Sequence, residues 1–406
     1  MITSLAWKNI WRNRTRSSVI LGAIALGLFC GVYINSFMTG WMYTTVDDDI
    51  NNHLSHIQIH DTAFSANNDI SAYFPREKVE AAVGESGLVT AASYRLSLTA
   101  MLASANNAVG ITAKAVFPED EKAVSTIWQN IADTMGAYLP DDARTAIVIS
   151  KKTADKLKVK LKSKIVLTFQ DTNGDMQSLA LRVSGIYKTA NGMKDEATVY
   201  VRYSDVFPVT GLPENVFHEA ALRTADLETC RQADARLKTL LPDMDVKDWG
   251  ENEPALEMSL AMTEFFGVII LAIFLFALSF GIINTMLMAV LERTRELGML
   301  GAIGMSKRRI FNMIMLETAL LTFVGSLVGI IIGTALIVPS LSSGIDLTPF
   351  MGDQFEDYGF GSIIYPVLNV KMFVQIIALV IIAGILSAIY PARKALKLKP
   401  LEAMRN

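Results

Sequence analysis

Four runs of this chain are apolar for about the 20 residues that a helix needs to cross a bilayer. They extend roughly from Ser18 to Met38, Met262 to Leu291, Met313 to Val338 and Met372 to Tyr390. No other feature constrains the fold as tightly. A soluble chain would have to bury four such helices completely. Hydrophobic residues make up 51% of the 406 residues, which fits lipid-facing helices better than a soluble core. The first run follows Arg12, Arg14 and Arg16, as the core of a secretion signal would. It is longer than such a core and ends without a small-x-small cleavage site, so an uncleaved anchor is expected.

Basic residues orient the spans. Outside the stretch between the first two spans there are fifteen Lys and Arg residues. Lys8, Arg12, Arg14 and Arg16 precede the first span. Arg293, Arg295, Lys307, Arg308 and Arg309 lie between the second and third. Arg393, Lys394, Lys397, Lys399 and Arg405 follow the fourth, and only Lys371 falls on the opposite side. Four spans put the three basic segments on one face. Their fourteen bases against Glu292, Glu296 and Glu402 leave plus eleven, so that face is expected to be cytoplasmic. Residues 43–257 hold 22 bases and 31 acids, or minus nine, and form the external domain. The expected layout is a cytoplasmic or interfacial helix at 1–17 and spans at 18–42, 258–291, 311–338 and 372–391. Cytoplasmic segments occupy 292–310 and 392–406, and an external loop occupies 339–371.

The external domain has its own order. "HIQIH" (His56 to His60) alternates as a strand does, a helical run covers Pro75 to Ala82, and strand patterns follow at Ala91–Ala103 and Ala108–Val116. Near the end, "EAALRT" and "MDVKDW" read as strands around the amphipathic "DLETCRQADARLKTLL". Each half is a β-α-β unit. Between them, about 117–204, lies a strand-rich insertion in which "TNGD" marks a hairpin turn. The expected fold class is an α-helical membrane protein with four transmembrane helices plus a large α+β external domain, its split β-α-β halves flanking the insertion.

Catalytic motifs are absent from the sequence. It has no GxxxxGK[ST] loop, no GxSxG and no HExxH. His53, His56 and His60 do not all fall on one strand face, and His218 is remote, so they read as ordinary polar strand residues and no metal is expected. Asp47–Asp49 reads as a solvated face just outside the membrane, with a cation site as the alternative. Cys30 lies in an apolar run and Cys230 in a polar one, so no disulfide is expected. No nucleic acid partner is expected either.

Within the spans, Asn284 and Glu317 stand out, because ionisable groups in lipid are costly. Glu317 is expected to pair with the cluster Lys307, Arg308 and Arg309; a transport role is the alternative. Gly27 and Gly31, and Gly325, Gly329 and Gly333, repeat at the GxxxG spacing that lets helices approach closely, within one subunit or between two.

The segment "ERTRELGMLGAIGMSKRR" (Glu292 to Arg309) has good helix formers, with Leu297, Leu300 and Ile303 as an apolar edge. Glycine in a free helix costs up to about 1 kcal/mol, yet Gly298, Gly301 and Gly304 are all here. They make sense where another surface comes close. The residues alone leave two readings open: a helix that docks in a partner's groove, and a plain solvated connector.

A wider pattern bears on that choice. "INTMLMAVLERTRELGMLGAIGMSKRRIFNMIMLETALLTFVGSLVGIIIG" (Ile283 to Gly333) resembles the signature of the FtsX-like permease family, and "YPARKALKLKPLEAMRN" resembles that family's C-terminal signature. One span, a large external domain and three further spans match the type VII ABC transporter permeases, including MacB exporters. "HIQIHD", "IVISKKTADKLKVKLKSKIVLTFQD" and "VSGIYKTANGMKDEATVYV" follow the order of elements of the lipoprotein-releasing LolC and LolE branch, to which the chain looks closest. "KLKSK" and "KAVFPED" depart from that branch's usual forms and leave the substrate open.

The resemblance implies a porter-like domain with a sabre-like insertion, in a multi-pass protein of a bacterial inner membrane with a periplasmic large domain. It implies that Glu292, Arg293, Arg295, Glu296, Leu297, Gly298, Met299, Leu300 and Gly304 form a coupling helix against a separate ABC ATPase, present in two copies. That partner would bind ATP and Mg; this chain would carry no cofactor and no catalytic residue. A second permease, identical or homologous, would complete the complex, and ATP-driven closure would move the external domains mechanically. The implied cargo is lipoproteins, passed on to a periplasmic carrier. The alternatives are a MacB-like exporter of peptides or small molecules and an FtsX-like regulator of cell-wall hydrolases. If the cargo is lipid-anchored, an apolar surface should open near the outer leaflet. Tyr33, Phe37, Met38, Trp41 and Met42 at the end of span one, and Met258, Met262, Phe265, Phe266 and Ile269 at the start of span two, are the candidates. Flexible methionines suit acyl chains of varied shape. The same residues would equally serve as interfacial anchors in membrane lipid.

Overall fold

A computed structural model describes residues 14–141, 145–351 and 363–396. The expected N-terminal helix up to residue 13, with Lys8 and Arg12, lies outside these residues, as do Lys397, Lys399, Glu402 and Arg405 of the tail. The chain divides into two compact units. One holds the chain to Met42, Leu260–Ile345 and the chain from Ile364; the other holds Tyr43–Ser259 and Asp346–Ile363.

The first helix, α1, spans Arg14–Asp49 and continues into a π-helical turn, Ile50–Leu54. It therefore runs past residue 42, where the apolar pattern stops. Ser55 ends the turn in the left-handed region at φ +58°.

The α/β unit contains, in order, β1 (Ile57–Asp61), α2 (Arg76–Ser86), β2 (Val89–Ala103), β3 (Ala108–Val116), α3 (Pro118–Val124), β4 (Ala146–Ser150), α4 (Lys151–Leu157), β5 (Lys164–Gln170), β6 (Met176–Tyr187), α5 (Gly192–Ala197), β7 (Thr198–Arg202), β8 (Glu219–Thr224), α6 (Leu227–Leu240) and β9 (Met244–Asp248). The nine strands form one sheet in the order β9-β1-β8-β2-β3-β7-β4-β6-β5. The first four pair antiparallel. Against them lie α2 and α6, the latter burying Cys230, Ala233 and Leu237 at helical spacing. Cys30 and Cys230 are both free thiols.

Strand β5 also pairs back with β2, so β2-β3-β7-β4-β6-β5 closes into a six-stranded barrel. Every second residue of β2 from Leu96 to Leu102 points inward, as do Ile165, Leu167 and Phe169 of β5. The 15 residues of β2 serve both structures: Val89–Arg95 pairs with β8, and Leu96–Ala103 pairs with β3. The strands of the insertion expected at 117–204 are thus continuous with the strands before it. Its barrel takes two strands from before residue 117, because a closed barrel leaves no unpaired edge.

Arg95 marks the seam between sheet and barrel. It is 2% exposed and bridges Glu121 of α3, at 2.7 Å, and Glu219 of β8. Lys114 of β3 also reaches Glu219, at 3.1 Å. Burial opposes the charge on Glu219, but Lys114 and Arg95 outweigh it and hold the carboxyl well below the usual carboxylate range.

The other unit is a helical bundle completed by α7 (Pro254–Glu292), α8 (Thr294–Ala302), α9 (Lys307–Ile337) and α10 (Val370–Leu396). Among the described residues, four helices, α1, α7, α9 and α10, are long and apolar enough to cross a membrane. Ile24, Leu28, Leu271, Leu275, Ile314, Leu321, Ile376 and Val380 form their common core. Small residues set the spacing within this one chain. A Cβ on Gly329 of α9 would lie 2.7 Å from the Ala25 carbonyl oxygen and 2.8 Å from Leu28 Cβ of α1. Gly325 similarly receives Ile24, and Gly333 faces Val32 at ordinary contact distance. On α1, Gly31 receives Leu271 of α7 and Gly27 touches Leu278. Gly384 of α10 closes on Thr322 of α9, a close approach that the sequence pattern did not single out.

Candidate functional site: the α8 junction and the exit of α1

The short helix α8 stands between α7 and α9. The Arg293 carbonyl accepts the Leu297 amide, which opens the helix. Gly304, at φ +99°, closes it: the Met305 amide returns to the Leu300 carbonyl in the manner of a Schellman cap. Leu297 packs against the bundle core. Glu292 and Arg295 are exposed, Met299 is 53% exposed and Ile303 78%. Gly298 and Leu300 are half-buried, and Gly304 is exposed. The expected apolar edge of Leu297, Leu300 and Ile303 is therefore divided. Leu297 is turned inward by the bundle, while Arg295, Met299 and Ile303 form the outward edge.

Glu317 of α9 is 2% exposed. Its expected partners, Lys307, Arg308 and Arg309, are all exposed. The observed partner is Arg293, whose Nη1 lies 3.2 Å from Oε1 and 3.1 Å from Oε2. The same guanidinium reaches Glu296 through Nε at 3.3 Å. The physical reason is geometric. Residues 307–309 precede Glu317 on one helix by eight to ten positions, or about 12–15 Å of rise.

A second polar cluster lies where α1 ends. Asp49 is 5% exposed rather than solvated. It accepts Asn191 Nδ2 at 3.0 Å and Lys194 Nζ at 3.2 Å. Asn51 accepts Arg223 Nη2, and Asn52 accepts Thr126 Oγ1 and Asn130 Nδ2. His53 sits in the π-turn, not in a strand, 3.2 Å from Thr189 Oγ1 and 3.4 Å from Asp195. Tyr200 donates to the Asn52 carbonyl. No local sequence signal marks this cluster, because its partners lie 74 or more positions along the chain. His56 accepts the Thr224 amide on Nδ1, and His60 Nδ1 faces the His218 carbonyl at 2.9 Å. Among the described residues, no group of three or more His, Cys, Asp and Glu is arranged to hold a metal ion.

The candidate apolar surface divides between its two helices. Met258, Met262, Phe265, Phe266 and Ile269 of α7 are exposed, from 38% to 62%. On α1, Tyr33, Phe37, Met38 and Trp41 are half-buried, with Tyr33 against the bundle core. Met42 is 8% exposed and so offers no open surface. Asn284 lies exposed on α7.

Comparison with known proteins identifies both units. The profile described as "MacB-like periplasmic core domain" matches residues 17–240, and "FtsX-like permease C-terminal" matches residues 268–400. The lipoprotein-releasing system transmembrane protein LolC of Neisseria meningitidis is 23% identical over 407 residues, covering 95% of this chain and 93% of that protein. The ABC transporter permease YtrF of Bacillus subtilis is 38% identical over 130 residues, 31% of this chain and 28% of YtrF. The macrolide export ATP-binding/permease protein MacB of Chlorobaculum tepidum is 33% identical over 125 residues, 31% of this chain and 16% of MacB. The chain thus spans less than a third of the length of these last two. The solved periplasmic region of MacB from Actinobacillus actinomycetemcomitans aligns with 53% of this chain and 98% of its own length, at 10% identity and a TM-score of 0.35. With one profile over more than half of its length and the other over the bundle, the chain belongs to the family of MacB-like, FtsX-type ABC transporter permeases.

Proposed function

We propose that this permease couples ATP hydrolysis on a separate ATPase to the release of lipoproteins from the inner membrane. The observation that carries the coupling is α8. It is anchored inward through Leu297 and turns Arg295, Met299 and Ile303 outward, as a docking element requires. The ATPase supplies ATP and Mg chemistry; this chain's part is mechanical. The basic segments around α8 support a cytoplasmic side for α8, and the net acidity of residues 43–257 supports a periplasmic one for the α/β unit. Lipoprotein cargo is supported by the near full-length likeness to LolC. It is supported too by the exposed Met262, Phe265, Phe266 row on α7, which suits acyl chains. Export of a soluble compound is the second reading, favoured by the local likeness to MacB.

The two readings are separated by charge on α7. Phe266→Asp and Met262→Asp should abolish release of an acylated protein from proteoliposomes while the ATPase stays bound. A photo-crosslinker at Met262 should capture an acylated protein. Crosslinks to phospholipid alone, with undiminished release by the Asp variants, would favour the exporter.

A further inference from the structure

We infer that Arg293 is a positioning residue that joins α8 to α9, so that its guanidinium passes a push on α8 to Glu317 of α9, beside the packing of Leu297. The inference rests on the reading of α8 as a docking helix and adds how its motion is passed on.

Three observations converge on this side chain. Arg293 is the single residue between the end of α7 at Glu292 and the start of α8 at Thr294, so it occupies the hinge. Its Nη1 holds both oxygens of Glu317, a carboxylate 2% exposed on α9. Its Nε holds Glu296, one turn into α8. A planar guanidinium offers separate donors to two acids at once, whereas an ammonium is a point charge. The two limbs differ in environment. The Glu317 limb is dry, with side-chain exposures of 15% for Arg293 and 3% for Glu317, while Glu296 is 44% exposed. A buried acid would be costly without its cation, so the inner limb is fixed. The outer limb can lengthen or break at little cost, which suits a contact that changes as α8 is loaded.

A purely structural ion pair at this place would need only the Glu317 limb. The bridge needs both, and the variants separate the two cases. The full permease is reconstituted with its ATPase in proteoliposomes, and the readouts are ATPase bound, ATP hydrolysed and cargo released per ATP. Glu296→Ala leaves the buried pair intact, so the chain should fold as wild type does, and cargo released is normalised to the ATPase that each variant binds. Cargo released per ATP should fall by about threefold to fivefold, the factor that an exposed ion pair of up to about 1 kcal/mol is worth. Arg293→Lys should behave in the same way. The exchange Arg293→Glu with Glu317→Arg restores an inner pair but sets a second acid beside Glu296, so it should assemble and remain uncoupled. Wild-type release per ATP in Glu296→Ala, or in the exchange, would overturn the bridge. Loss of ATPase binding in Glu296→Ala would also overturn it, by assigning Glu296 to the docking contact itself. If the wild-type chain binds no ATPase, the permease reading fails first and the inference falls with it.

Discussion

Two long helices of this chain end at polar junctions, and the junctions are built differently. Where α1 ends, Asp49, Asn51, Asn52 and His53 are held by partners from four separate segments, including Thr126, Asn130, Thr189, Asn191, Lys194, Tyr200 and Arg223. Where α7 ends, one arginine bridges two acids, and one leucine anchors the helix that follows. The first junction is redundant, so no single bond controls it. The second centres on Arg293, which sits at the hinge and reaches an acid on each side of it, so it can be moved as a unit. Redundancy suits a rigid grip, and a single bridge suits a contact that must respond to a partner.

The largest effect is expected at Arg95, the buried cation at the seam of the α/β unit. It serves Glu121, which also accepts Ser93 Oγ at 2.8 Å, and Arg95→Met strips it from two acids. Removing one partner of a buried pair costs about 3–5 kcal/mol. Urea unfolding of the full chain should register that loss, and hydrogen exchange should locate it in β2 and β8. A cost under about 1 kcal/mol would mean that Lys114 compensates.

Next in size is Gly329→Leu. Its side chain would run into the Ala25 carbonyl and Leu28, and overpacking costs about 1–3 kcal/mol. The thermal midpoint of the detergent-solubilised chain should drop, and α1 should become accessible to protease. The exposed Leu336→Ala, on the same helix, should leave the midpoint nearly unchanged.

Smaller effects are expected at the α1 exit. Asn130→Ala and Asn191→Ala each remove one hydrogen bond of several, worth about 1 kcal/mol. Hydrogen exchange at Ile50–Leu54 should rise modestly in each and sharply only when both are combined. A single substitution that melts the turn would break the contrast drawn between the two junctions.

These junctions also show where the sequence could be read and where it could not. The spans, the split β-α-β halves and the glycine repeats were legible, because each rests on a period or spacing within one element. The α1 exit was not. Asp47–Asp49 looked solvated, since nothing nearby in the chain pairs with Asp49, and its partners lie more than 140 positions away. Glu317 was assigned to Lys307–Arg309 by proximity in sequence, yet its partner came from the far side of α8. The closure of the barrel is not legible for a related reason. An alternating β2–β3 pair reads the same whether it closes a hairpin or a barrel, and only the β2–β5 pairing distinguishes them. Within α8, periodicity identified an apolar edge but not which of its residues the bundle takes.

The mildest expected effect is on pH. Glu219 titrates below its unfolded value of about 4.3, so its contribution to stability is fully present above about pH 5. That contribution is lost as pH falls from there toward its folded value. Unfolding measurements should therefore show no slope from this group between about pH 8 and 5 and a decline below about pH 4. In Arg95→Met the decline should still begin near the unfolded value but be smaller and level off at a higher pH, because Arg95 no longer helps to depress Glu219.

The central claim is that α8 is where an ATPase drives this permease. It is tested most directly by a photo-crosslinker at Met299, whose side chain is 53% exposed on the outward edge of α8. In membranes the account predicts one major adduct, a nucleotide-binding ATPase polypeptide, which disappears when Ile303→Asp breaks the same edge. An adduct only with lipid, or one that Ile303→Asp leaves unchanged, would contradict it.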